Sequence, residues 1–249
     1  MPSILTQAIT VRYPCRSAIR RGSTVHGPRG RNGRDHGRQA LTELFPPAAY
    51  ERDDESSDAR FYSEPRKVVH IDEGAIAALG RLYERVLPAG GRLLDLMSSW
   101  RSHLPGSLGA EVVGLGMNAE EMADNPQLAR HVVHDVNDAA APALPFEDES
   151  FDGAMCAVSI QYVTRPVWLF REVRRVLKAG APFVVSFSNR CFFTKAVAVW
   201  LNSTDEQHLT LVRTYFERAG GWTDVTTEDR SSGGGADPLY AVWARRAPG

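Results

Sequence analysis

This chain of 249 residues is short of several things, and each shortage excludes a class of protein. Its three cysteines, Cys15, Cys156 and Cys191, show neither paired nor CxxC spacing, which argues against a disulfide framework and against a zinc site. Cys156 lies in an apolar run and reads as a buried thiol, so a reducing compartment is expected. No apolar stretch approaches the ~20 residues of a membrane span. The nearest, 191–201, is interrupted by Lys195. Acids are absent before Asp35, so residues 1–38, with eight Arg and no Lys, carry a local charge of +7. The formal net charge is -1, which leaves the rest of the chain acidic. An acidic globular part lacks the basic face that general nucleic-acid binding needs, and a small-molecule substrate is expected.

The basic leader also lacks a long apolar core, which excludes an ordinary secretory signal. Its Arg, Ser and Gly content leaves two readings: an organelle transit peptide, or a disordered extension of a cytoplasmic protein. Either way residues 1–38 are expected outside the fold and in rapid amide exchange, having few apolar groups to offset the entropy of ordering. Residues 39–60, with Pro46-Pro47 and the mainly acidic run 51–55, read as a linker or an arm on the domain surface. The domain is expected over 61–246.

From Ile71 onward the pattern is regular. Asp72 is placed to cap a helix whose apolar positions Ile76, Leu79, Leu82, Tyr83 and Val86 recur at helical spacing. Apolar runs at 92–97, 111–115, 131–136, 151–158 and 183–187 read as strands. Helical patterns at 119–130, 164–178, 193–201 and 205–219 are interleaved with them. In the second of these, Arg171, Arg174 and Arg175 are expected to point outward. Such alternation predicts a parallel sheet with helices on both faces, an α/β fold. The last two strands, 222–227 and 239–244, are joined by a Gly-rich loop too short for a crossover helix, so they are expected to pair antiparallel.

The segment 144–189 carries a resemblance. Leu144-Pro145-Phe146 and Ser150-Phe151-Asp152 enter the fourth strand, and 172–180 reads EVRRVLKAG before the fifth. In this order and spacing the chain resembles class I methyltransferases, over roughly 61–246, with Ala179-Gly180-Ala181 in place of the family's Pro-Gly-Gly. It also resembles a narrower, uncharacterised subgroup that has LDLMSSW in place of the glycine loop. The resemblance implies a Rossmann-like seven-stranded sheet of order 3-2-1-4-5-7-6 with only the last strand antiparallel. It also implies S-adenosylmethionine as cofactor and methyl transfer to a small molecule by direct displacement.

Two departures from the family stand out. After strand one the family has an acid followed by GxGxG; here Asp95 supplies the acid, but Met97, Ser98 and Ser99 stand at the glycine positions. The resemblance implies that Asp95 attracts the cofactor's ammonium, and that the serines or their amides meet its carboxylate. At the end of strand two, Gly116 stands where the family places a ribose-binding acid, followed by Met117 and Asn118. Asn118 reads first as a helix cap, with a ribose contact as the alternative, and Glu120 or Glu121 could reach the ribose instead. Asp135 and Val136 match the adenine-binding positions, and Ser159 lies where the fourth strand meets the cofactor. Open parallel sheets bind ligands beyond the carboxyl ends of their strands, and all these segments are such ends.

For catalysis, His103, Tyr162 and Arg190 are the candidates, with Ser188 and Asn189 nearby. Two rivals are weighed. One is a methyltransferase-fold protein that binds without turnover, motivated by the altered motifs. The other is a nicotinamide-dependent oxidoreductase, for which no GxGxxG follows strand one.

Overall fold

The computed structural model describes residues 44–249, so the expectation for residues 1–38 lies outside the described residues. Residues 44–70 form a strap that includes the short helix α1 (Asp58–Phe61). Helix α2 (Glu73–Val86) follows, capped as expected by Asp72, whose carboxylate accepts from the Ala75 amide at 2.9 Å. Its buried residues Ala75, Ala78, Leu79, Leu82, Tyr83 and Val86 form one stripe. Pro88 prevents its continuation.

The remaining elements are β1 (Arg92–Leu96), β2 (Glu111–Gly116), α3 (Ala119–Ala123), β3 (Arg130–Val133), β4 (Gly153–Ala157), α4 (Pro166–Val176), β5 (Pro182–Phe187), α5 (Ala198–Leu201), α6 (Asp205–Ala219), β6 (Trp222–Asp229) and β7 (Tyr240–Arg246). The sheet order is β3-β2-β1-β4-β5-β7-β6. Strand β7 is antiparallel to both of its neighbours, and every other pairing is parallel. The expected order and the single reversed strand are both present.

Helix α2 covers one face of the sheet, packing with Leu93, Val112, Met155 and Val184. Helices α4 and α6 cover the other, where Phe170, Phe183, Phe216 and Trp222 meet edge to face; the Phe170–Phe216 centroids are 4.6 Å apart. Such aromatic pairs add about 0.5–1.5 kcal/mol each beyond simple burial.

Three readings of the sequence are corrected. The helix expected over 119–130 ends at Ala123, because Pro126 cannot donate within a helix and disfavours helical backbone at Asn125. The arginines of α4 do not face open water. Arg171 and Arg174 donate to the carbonyls of Ala219 and Gly220 and close the end of α6. Arg175 donates to the carbonyls of Leu144 and Phe146, while Glu172 accepts from the Leu144 amide. The family-like Leu-Pro-Phe loop is thus stapled to α4, which explains why its motifs occur together. Finally, the helix expected over 193–201 begins only at Ala198, and Lys195, ahead of it, is enclosed, with 0% side-chain exposure.

Lys195 anchors the strap. Its ammonium donates to the carbonyls of Asp54 and Ser56 and lies 3.2 Å from Asp58, which is 5% exposed. Arg52 binds the same carboxylate at 2.8 Å, and Asn137 donates to it at 2.9 Å. Burial pushes the Asp58 carboxyl up, but hydrogen bonds from Asn137 and Arg52, the Arg52 charge and Lys195 together hold it below the usual carboxylate range. Lys195→Met is expected to cost about 3 kcal/mol, the low end for a broken buried pair because Arg52 remains. Denaturant melts would measure the loss, and limited proteolysis should cut within 50–62. Wild-type protease resistance there would show that the strap is held by other contacts.

Candidate functional site

The strap roofs a cavity at the carboxyl ends of β1, β2, β3 and β4. All ten residues expected at the cofactor line it: Asp95, Met97, Ser98, Ser99, Gly116, Met117, Asn118, Asp135, Val136 and Ser159. His103 and Tyr162 line it too. Arg190 is not among its lining residues; it pairs with Asp237 at 2.6 Å. The roof itself was not legible in the sequence: Asp58, Tyr62, Arg66, Val68, Val69 and His70 come from the strap, and Phe192 from the loop after β5.

The β1–β2 connection, residues 97–110, contains only the 3-10 turn Gly106–Leu108 and no α-helix. Side chains fix it. Ser98 and Ser102 hydroxyls both donate to one oxygen of Asp95 at 2.6 Å. The Ser99 hydroxyl donates to Glu121 at 2.5 Å, and Asn125 donates to the Ser99 carbonyl. The serine hydroxyls are therefore donors to protein carboxylates. Among the described residues, no protein acceptor faces the amides of Ser99, Trp100 and Arg101, which lie on the cavity wall. Successive amides of this kind suit an anion.

Of the positions where the family has glycine, only Met97 adopts positive φ, at 57°. His103 and Val158, also on the cavity wall, have φ of 55° and 44°. Left-handed backbone costs a non-glycine residue about 1–2 kcal/mol. Strain of this kind gathers at functional sites.

Gly116 has a steric explanation. A Cβ there would lie 2.1 Å from the Ser98 carbonyl oxygen. The loop after β1 crosses the end of β2, and the Ser98 amide donates to the Leu115 carbonyl at 2.8 Å. No side chain, acidic or otherwise, fits at 116. Asn118 caps α3, accepting from the Glu121 amide at 3.0 Å, while its amide group donates to the carbonyls of Tyr62 and Ser63. Capping thus occupies its side-chain carbonyl. Glu121 lines the cavity and Glu120 does not.

Burial sets the electrostatics. Asp95, 3% exposed, is pushed up to about 6 by burial, against the pull of the Ser102 and Ser98 hydroxyls. Asp135 is raised for the same reason, with the Asn137 amide opposing. His103 is lowered to about 4 by burial and by Arg101, and burial also lowers His70. Both imidazoles are neutral at neutral pH. The Tyr162 hydroxyl accepts from the Phe192 amide at 2.9 Å, and burial raises its pKa.

A parallel sheet in the order β3-β2-β1-β4-β5-β7-β6, with β7 alone antiparallel, has the topology of the class I methyltransferase fold. The [4+2]-cyclase SpnF shares that fold, with 18% identity, a TM-score of 0.51, and coverage of 74% of this chain and 90% of the other. The model of the methyltransferase domain family matches residues 98–185, from just after the end of β1 into β5. Among curated relatives, the biotin biosynthesis bifunctional protein of Teredinibacter turnerae is 46% identical over 44 residues, 18% of this chain and 8% of that protein. An uncharacterized protein of Mycobacterium tuberculosis is 31% identical over 81 residues, 32% of this chain and 28% of that protein. These matches span less than a third of either relative's length. No helix among the described residues is long and apolar enough to cross a membrane.

Proposed function

We propose that this protein binds S-adenosylmethionine in the roofed cavity and transfers its methyl group to a small-molecule acceptor. The observation that carries this reading is the convergence of Asp95, Asp135 and three unpartnered amides, Ser99 to Arg101, on one cavity. The donor set suits the cofactor's chemistry. The amides suit its carboxylate, Asp95 its ammonium, and Asp135 its adenine amino group. When bound, the cofactor supplies a methyl group already activated on a sulfonium. The protein's part is to align and to exclude water, and alignment can contribute ~7–11 kcal/mol in favourable cases. Met97 and Val158 hold their strained backbone at the floor, while Tyr62 and Phe192 close the roof. His103 and Tyr162 are among the polar side chains that an acceptor in this cavity would meet. The enclosed thiol of Cys156 fits a reducing compartment, and the cytoplasm is the location we favour.

A second reading, binding without turnover, is favoured by the loop that fills the end of β2 and by a fold shared with a cyclase. Calorimetric titration with S-adenosylmethionine and its demethylated product tests the first part. Micromolar affinity, about -8 kcal/mol, is expected. No heat at millimolar ligand would overturn the proposal. Binding without label transfer from methyl-labelled cofactor to any of a panel of small acceptors would favour the second reading.

A further inference from the structure

Neither arginine on the cavity wall, Arg66 or Arg101, forms an ion pair among the described residues, and of the two it is Arg66 that has an enclosed guanidinium nitrogen. Asp58, by contrast, has both Arg52 and Lys195. The Arg66 Nη1 is fully enclosed and makes no hydrogen bond. Glu121 is nearby but accepts from the Arg66 backbone amide and from Ser99, not from the guanidinium. The guanidinium instead lies over the Phe61 ring, 4.2 Å from its centroid, and 5.8 Å from that of Phe192. Phe192 is the hub of this corner. Tyr162 stacks on it at 6.0 Å, and Phe61 and His70 meet it edge-on at 5.7 and 5.2 Å. A buried guanidinium nitrogen without an acceptor is costly, and its natural complement is an anion.

We infer that Arg66, with Phe192 and His70, forms the acceptor subsite, and that it takes a small carboxylate with a flat, unsaturated body. This rests on the methyl-transfer reading, in which the amides of Ser99 to Arg101 take the cofactor's own carboxylate and leave Arg66 to the acceptor. The planar fork of a guanidinium matches a carboxylate through two parallel hydrogen bonds. A phosphate dianion is disfavoured by Asp58, Asp135 and Glu121, which line the same cavity. The neutral imidazole of His70 adds no second positive charge. The aromatic rings favour a flat body by stacking.

The test is calorimetric titration of benzoate, benzamide, cyclohexanecarboxylate and phenyl phosphate into protein saturated with S-adenosylhomocysteine. Benzoate is expected to bind at least about tenfold more tightly than each of the other three, since one charge-assisted hydrogen bond is worth that much. Arg66→Gln should lose benzoate by about tenfold or more, and Arg66→Lys should recover part of it. Equal binding of benzoate and benzamide, or wild-type benzoate affinity in Arg66→Gln, overturns the inference. Tighter phenyl phosphate overturns the carboxylate assignment, and equal cyclohexanecarboxylate overturns the flat body. If Arg66→Gln instead loses S-adenosylhomocysteine and Arg66→Lys restores that alone, Arg66 serves the cofactor and the inference fails. Benzoate binding in a protein that never binds S-adenosylhomocysteine would sink the methyl-transfer reading while leaving the anion subsite standing. The reverse pattern would sink only the subsite.

Discussion

Gly116→Asp, which restores the acid of related enzymes, is expected to cost at least about 3 kcal/mol and to abolish cofactor binding. The new Cβ would lie 2.1 Å from a backbone oxygen, that of Ser98, and 3.0 Å from the Met122 sulfur. The loop cannot retreat easily. Its Ser98 amide is bonded to Leu115 and its Ser98 hydroxyl to Asp95. Most of the cost is steric, so Gly116→Ala should already show it. The aspartate adds a buried carboxylate close to Asp95. Urea denaturation of both variants, with cofactor titration, measures the two contributions. Wild-type stability with tighter cofactor binding in the aspartate variant would show that the loop runs elsewhere.

Asp95→Asn should act in opposite directions on stability and on binding. In the folded protein Asp95 titrates at about 6, above the ~3.9 of an unfolded chain. The folded state therefore holds the proton longer. Its contribution is fully favourable below about pH 4, is lost as pH rises through 6, and is constant above that. At neutral pH the buried carboxylate costs about 3 kcal/mol. Asparagine keeps an oxygen for Ser98 and Ser102 and carries no charge, so the variant should be the more stable at pH 7, with the advantage gone by pH 4. Cofactor affinity should fall about ten- to a hundredfold if the ammonium contacts the carboxylate directly. Wild-type affinity should also weaken below pH 6, and the variant should lack that dependence. Melting curves and titrations from pH 4 to 8 check both. Pairing of the ammonium with Asp95 is rejected if both proteins bind alike at every pH.

The α/β class was legible in the alternation of strand and helix patterns, the antiparallel ending in a loop, 231–237, too short for a crossover, and the strand order only through the resemblance carried by 144–189. The cavity floor was legible because the resemblance puts the cofactor at strand ends, and strand ends can be counted in the sequence. The roof was not. Asp54, Asp58 and Arg52 read as surface charge in an acidic arm, and only tertiary structure shows them gathered around the enclosed Lys195. Nothing in the local sequence marks Arg66 or His70 as lining a cavity at the carboxyl ends of the strands, because the path of the strap is set by contacts more than a hundred residues away. Ser98 and Ser99 were legible as site residues, but their hydroxyl partners were not. Asp95 and Glu121 meet them only once the loop has crossed β2.

The insertion of β7 between β5 and β6 has a consequence for synthesis. Strand β6 touches the sheet only through β7, with which it pairs from Trp222–Arg246 to Asp229–Tyr240. On the ribosome, β5 is complete long before residues 240–246 are made, and β6 only shortly before. During that interval β5 is an open apolar edge, and β6 has no partner. Such edges invite pairing with other chains. The domain is thus expected to close in one late step, when its seventh strand slots into a gap that the first five have left. Nascent chains halted short of residue 240 should depend on chaperones in a way that completed ones do not.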